Sequence, residues 1–442
     1  MKHSSANTAM KWLIPMALAI GVSLIYARRD GDFTGYTIAG NLQMEGRDAY
    51  RDAPTVCPWP PLFYWCCVPL AWASNHSFVG ARWVWLLSAW AALGWTMFLI
   101  VRLVYDRRLM LARPPTVSRD EVLDVGDSEV WLPLLLCSVW IASNFQYLQV
   151  NIFIFALAIT GLWFHRRGCE LRAGVFLGAG AALKVLPICF VPYFLWRRQW
   201  KAALATGGFA VGWSLLPAVT LGWRGLVDRL QTWHEILGKD LSVGAANLSI
   251  YAMFDRWIGQ GLTPFVSPGS FAFLHPSHHP AVVWAAVALI LPIALVGAWL
   301  FRGPYDRTSR TATAEWSTVF LAAALFGSLT WKHYLVVLLL PMTLFVATWR
   351  DERVDEGFRR RLRLLTWLAF LPSLSGANDL IGSPLAMRLQ TGSLLTLMGI
   401  FLIGVLYWYV AKMKSVQLYP SSGRYQAKSL VTLAIVKLEK TS

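Results

Sequence analysis

Runs of about twenty predominantly apolar residues, at 82–104, 202–221, 281–301, 364–381 and 391–411, constrain this chain more than any other feature. A helix needs roughly 17–25 such residues to cross the hydrocarbon core of a bilayer. Only helices and closed barrels satisfy all their backbone hydrogen bonds there. Charged residues make up 14% of the 442, against about 25% in soluble domains, which excludes an ordinary water-soluble fold. The expected fold class is all-α, a multi-pass transmembrane helical protein. Residues 1–411 form one polytopic membrane domain in this reading, and 412–442 a tail that is polar and then amphipathic.

The formal charge of +16 does not point to nucleic acid. Lys and Arg gather in short segments between apolar runs, at 102–119, 166–172, 197–201, 302–310, 350–363 and 412–414, as the cytoplasmic loops of membrane proteins do. Twenty-four tryptophans suit contact with membrane lipids at the interfaces. Placing every basic segment in the cytoplasm leaves 27–57, 144–150, 222–280 and the turn Trp331-Lys332-His333 outside. Parity then requires CPWPPLFYWCCVPLAWA (57–73) to dip into the outer leaflet without crossing. The run 171–196 has basic residues at both ends and a break at Lys184-Val185-Leu186-Pro187, so it is expected as two half-helices. The count is about ten crossings plus two re-entrant pairs. Residues 12–26 have the look of a signal peptide but no good cleavage site. The six cysteines, lacking metal-ligand spacing, read as packing thiols, so neither a metal site nor a cofactor is expected.

The stretch YARRDGDFTGYTIAGNLQMEGRDAY (26–50) places Asp30, Asp32, Glu45 and Asp48 beside the first apolar run. A short helix is predicted over about 34–45, with Gly46 as its C-terminal cap. On this evidence Asp32 is simply an N-cap whose carboxylate accepts backbone N–H bonds. Asp30-Gly31-Asp32 also matches a D-x-D pattern, but three residues in a turn on the outer side are a weak motif for nucleotide-sugar chemistry.

Taken together, several segments resemble glycosyltransferase family 87, membrane enzymes dependent on polyprenol-phosphate sugars and built on the glycosyltransferase C fold. DFTGYTIAGNLQMEGRDAY resembles the family's D-F-x-x-Y opening, and PWPPLFYW its aromatic-proline element. LQVN (148–151) is similar to its G-Q-V-N motif, with Leu148 in place of glycine. GAALKVLPICFVPYFLWRRQW (180–200), ANLSIYAMFDRW (246–257) and SLTWKHYLVVLLLP (328–341) follow in the family's order.

The resemblance implies that Asp32 is a general base taking the proton of an acceptor hydroxyl as it attacks an inverting centre. Lys184, set between apolar half-helices, is the first candidate to hold the donor phosphate, with Lys332 and His333 as a second cationic group. Tyr36, Gln149, Asn151, Asn247 and Ser249 are candidates to meet sugar or acceptor hydroxyls, although helix capping or turn formation also accounts for the last four. Trp59, Phe63, Tyr64 and Trp65 suit the wall of a groove for the donor's tail. The implied activity is transfer of a hexose, mannose first, from a polyprenyl-phosphate donor to a lipid or cell-envelope glycan acceptor. It would occur at the extracytoplasmic face of the cell membrane. Two alternatives stand beside it: an arabinofuranosyl donor, or a lipid or solute transporter, which broken helices with a buried Lys also fit.

Overall fold

The computed structural model describes Ala17 and residues 19–29, 31–54, 58–114, 116–239, 242–262 and 274–418. Residues 12–16 and 18 of the N-terminal run, Asp30, Cys57 and most of the tail therefore lie outside the described residues. The remainder is almost entirely helical. One exception to the all-α expectation among the described residues begins in the basic 102–119 segment, where strand Arg108–Met110 pairs in parallel with Val122–Asp124 just beyond it.

Four described helices are long and apolar enough to cross a bilayer: Phe78–Tyr105, Pro280–Leu300, Lys332–Arg350 and Leu394–Ser415. Two bent pairs raise the number to six if each is one span. The Lys332–Arg350 helix is buried along nearly its whole length, whereas Pro280–Leu300 exposes most of its apolar surface. Lipid tails are as apolar as Leu, so that exposure costs nothing in a bilayer.

Two expected spans are corrected. The run 202–221 is not one helix, because Trp200–Leu215 ends before Pro217 and the next helix leaves at 98°. Proline offers no N–H to continue the ladder. The departing helix, Ala218–Lys239, kinks again at Gly222, whose φ is 67°. The run 364–381 also fails to continue, since helix Glu356–Ser373 gives way to a tight turn at Leu374–Gly376 and a separate short helix. The break expected at Lys184 is present: helix Glu170–Leu183 stops, a tight turn runs over Leu186–Cys189, and helix Phe190–Trp196 resumes.

Helix Asp32–Met44 packs along helix Pro61–His76. Gly40 makes this contact possible, because a methyl there would collide with the Cys67 carbonyl. Gly46, at φ 71°, follows the C-terminal end of the first helix, as predicted. Helix 218–239 is tied to the segment that joins these two helices: Arg51 pairs with Asp228 at 3.0 Å, Arg229 pairs with Asp48, and Trp233 Nε1 donates to the Pro58 carbonyl at 3.1 Å.

Candidate active site

Asp32 does not cap its helix. The N-cap is Gly31, in extended backbone, and Asp32 is the first helical residue, with no side-chain cap bond. The carboxylate is left to accept from Gln149 Nε2. The Asp32 amide donates to the Tyr147 carbonyl at 3.0 Å. This close approach needs glycine at 31, where a Cβ would stand 2.8 Å from the same carbonyl oxygen. Leu148 completes the junction, buried and with φ 49°, a left-handed backbone that glycine adopts more readily. It stands where the resembled motif carries glycine.

A relay supports the carboxylate, since Asn151 Nδ2 donates to Gln149 Oε1 at 3.2 Å. Both amides are buried. Burial raises the Asp32 carboxyl above its ordinary value, while the Gln149 hydrogen bond and the Lys184 charge pull it back. A carboxylate held in this way takes up a proton more readily than a free one. The Tyr36 ring is buried against Trp59, Phe63 and Trp85 at centroid distances of 4.7, 5.0 and 5.6 Å. Its hydroxyl lies near Asp32 and the Val150 backbone but finds no well-formed hydrogen bond among the described residues.

Lys184 takes up extended backbone (φ −158°, ψ 105°) at the end of its half-helix. Its Nζ lies 3.9 Å from the centroid of the Tyr334 ring, a cation–π contact. Both residues line a cavity of about 670 Å³ that is walled mainly by apolar side chains and reaches as far as Trp196, Phe301 and Tyr407. Trp59 lines the same cavity, as do Trp233 and Leu237 of the overlying helix. Asp32 is not a lining residue, but it lies within electrostatic reach of two that are, Tyr334 and Lys184.

The other candidates divide. His333 is buried close to Lys184 and Lys332, and its carbonyl accepts from Asn144 Nδ2 at 2.8 Å. Lys332 turns elsewhere, its Nζ donating to the Gly376 carbonyl at 3.2 Å and lying 5.4 Å from the Tyr147 ring. Asn247 is not brought to the cluster. Its amide donates to Ser242 and Ser328, and its oxygen accepts from Ser249 and Thr330. Two donors and two lone pairs are its full capacity, so none is left for a sugar hydroxyl. Ser249 caps helix Ile250–Phe254, accepting from the Ala252 amide at 3.1 Å.

The sequence reading passed over Tyr334 and Arg82. Tyr334 adjoins the singled-out Lys332-His333 pair, which was its signal. Arg82 lies at the head of an apolar run, where a cation rarely sits without a role. It donates to the carbonyls of Ala27 and Arg29 and, at 2.8 Å, to Thr34 Oγ1, thereby holding the chain that leads into Asp32.

The family model of glycosyltransferase family 87 matches residues 58–330, a region that contains Lys184, Gln149 and Asn151 and leaves Asp32 and His333 outside. A polyprenol-phosphate-mannose-dependent alpha-(1-2)-phosphatidylinositol mannoside mannosyltransferase from Mycobacterium tuberculosis is 28% identical over 363 residues, covering 78% of each chain. Its namesake from Mycolicibacterium smegmatis is 25% identical over 356 residues, covering 74% of this chain and 72% of its own. Among solved structures, ArnT from Cupriavidus metallidurans bound to undecaprenyl phosphate aligns over 93% of this chain and 80% of its own, with a TM-score of 0.41 and 13% identity. With well over half its length inside the matched region, the chain belongs to glycosyltransferase family 87 and is a membrane glycosyltransferase.

Proposed function

We propose that this enzyme transfers mannose from a polyprenyl phosphate to a lipid or cell-envelope glycan acceptor at the extracytoplasmic face, with inversion and with Asp32 as general base. The observation that carries the reading is the juxtaposition of a carboxylate not engaged in helix capping with Lys184 at an apolar cavity. The acceptor oxygen attacks the anomeric carbon as the bond from that carbon to the phosphate oxygen breaks. The hydroxyl proton passes to Asp32 and the electron pair leaves with the polyprenyl phosphate. Lys184 balances the charge that grows on the leaving phosphate, in surroundings of low dielectric where a fixed cation acts strongly. Tyr334 and His333 complete that side, and the apolar cavity takes the donor's tail. Gln149, braced by Asn151, orients the base.

The names of both mycobacterial relatives favour mannose over arabinofuranose and a phosphatidylinositol mannoside, or a glycolipid like it, as acceptor. The transporter alternative loses its footing with family membership. Sidedness draws support from Arg197, Arg302 and Lys414, which gather at the Phe301 end of the cavity, away from Lys184.

The test is transfer from labelled polyprenyl-phosphate mannose in membranes containing Asp32→Asn. Loss of a positioned base costs on the order of 10²–10⁴-fold, and the variant is expected to fall by that much while inserting normally. Near-wild-type transfer would remove Asp32 from the reaction.

A further inference from the structure

The cavity that begins at Lys184 has a built end. Phe301, at the C-terminal end of helix Pro280–Leu300, and Tyr407, from helix Leu394–Leu418, line it together on the side of the basic 302–310 segment. The Tyr407 hydroxyl donates to the Ile293 carbonyl at 2.7 Å. It can lie there only because residue 297 is glycine, since a methyl group on that Cα would collide with the phenol oxygen. Phe301 is held through the backbone around it. Arg197 donates to the carbonyls of Phe301, Gly303 and Pro304, the latter two at 3.3 and 3.1 Å. The same guanidinium pairs with Glu315 at 3.2 Å, both side chains being almost wholly buried, and Tyr193 adds a hydroxyl bond to Glu315 at 2.9 Å. Moving this wall would strand a buried charge, which is costly.

The sides of the cavity are lined by Ala294, Ala298, Ala322 and Ala323, so a chain can lie between the helices. Val185 and Trp196, also lining residues, are 44% and 49% exposed, which marks the side open to the bilayer. A volume of about 670 Å³ is of the class that encloses a drug-sized ligand. It is too small for the whole tail of a long polyprenol.

We propose that the enzyme reads only the phosphate-proximal segment of its lipid-linked donor, with Tyr407 as the stop that sets the length read. The rest of the tail turns sideways past Val185 and Trp196 into the bilayer. This rests on the polyprenyl-phosphate donor argued above. Isoprene units inside the cavity gain packing contacts with protein, whereas units beyond the wall remain in lipid whether the donor is bound or free. Only the former change affinity.

The experiment compares mannosyl donors of graded prenyl length at fixed mole fraction in lipid nanodiscs containing the full chain. In the wild type KM is expected to fall as the tail lengthens and then to level off at an intermediate length, with kcat unchanged. Tyr407→Ala moves the plateau to longer tails, Tyr407→Phe leaves it in place, and Ala298→Leu moves it to shorter ones. Should Tyr407→Ala fail to insert, Ala298→Leu carries the test alone. A KM that keeps falling to the longest donor, or one plateau shared by wild type, Tyr407→Ala and Ala298→Leu, overturns the proposal while leaving the donor class intact. Absence of transfer from every polyprenyl-phosphate mannose overturns the donor class itself.

Discussion

At Asp32, burial and polar contacts act against each other, and the outcome can be read in a pH profile. Burial raises the carboxyl above its ordinary value of about 4. A general base works ionised, so on the proposed mechanism transfer is expected to fall as pH drops through an apparent value above the ordinary one. Removing the Gln149 hydrogen bond takes away a lowering influence, so Gln149→Leu should shift this acid limb to still higher pH. Initial rates from pH 4 to 8 check both, and an acid limb at the ordinary value in either protein contradicts the account. Asp32 was legible in the sequence through its neighbours Phe33 and Tyr36, but its helix-capping role was not what the fold adopted. Gly31 takes the N-cap and frees the carboxylate. Asn247 and Ser249 show the reverse: the residue types suit sugar binding, yet their partners Ser328 and Thr330 lie on a distant segment and consume them. Single side chains carry no record of which distant backbone groups will claim them.

Among the elements, the junction at Leu148 has an unusual consequence. An L-residue in left-handed backbone costs roughly 1–2 kcal/mol, while deleting a buried Leu side chain costs about 2–5 kcal/mol. Leu148→Ala loses the packing and keeps most of the strain, whereas Leu148→Gly loses the packing and relieves the strain. Glycine should therefore be the milder replacement by roughly 1 kcal/mol, contrary to the usual order inside regular structure. Thermal unfolding of the two purified variants in detergent tests this, and alanine proving milder would mean that the backbone there is not left-handed. The half-helix break at Lys184 was readable because Pro187 and a charged residue interrupt an apolar run. The 98° turn after Leu215 was harder to read, since Pro217 near the end of an apolar run fits either a kinked span or a helix that turns aside.

Across the whole molecule, charge inside the helical body gathers in two groups, Arg197 with Glu315 and Lys414 beside Phe301, and Asp32 with Lys184. Breaking a buried pair by removing one partner costs about 3–5 kcal/mol. Arg197→Ala should accordingly lower the thermal midpoint markedly, and an unchanged midpoint would mean that the pair is not buried. The proposed topology of about ten crossings plus two re-entrant pairs places the 105–129 loop in the cytoplasm. A reporter fused after residue 115 should give a cytoplasmic signal; a periplasmic one means that 57–73 crosses. Membrane residence and helical character followed from composition and run length, because the cost of placing residues in hydrocarbon accumulates locally along the chain. The meeting of Asp32, Gln149, Lys184 and Tyr334, and the cavity stopped by Tyr407 on Gly297, did not. They come from helices remote in sequence, whose mutual approach is set by small residues, bends and buried hydrogen bonds that act only once the chain is packed.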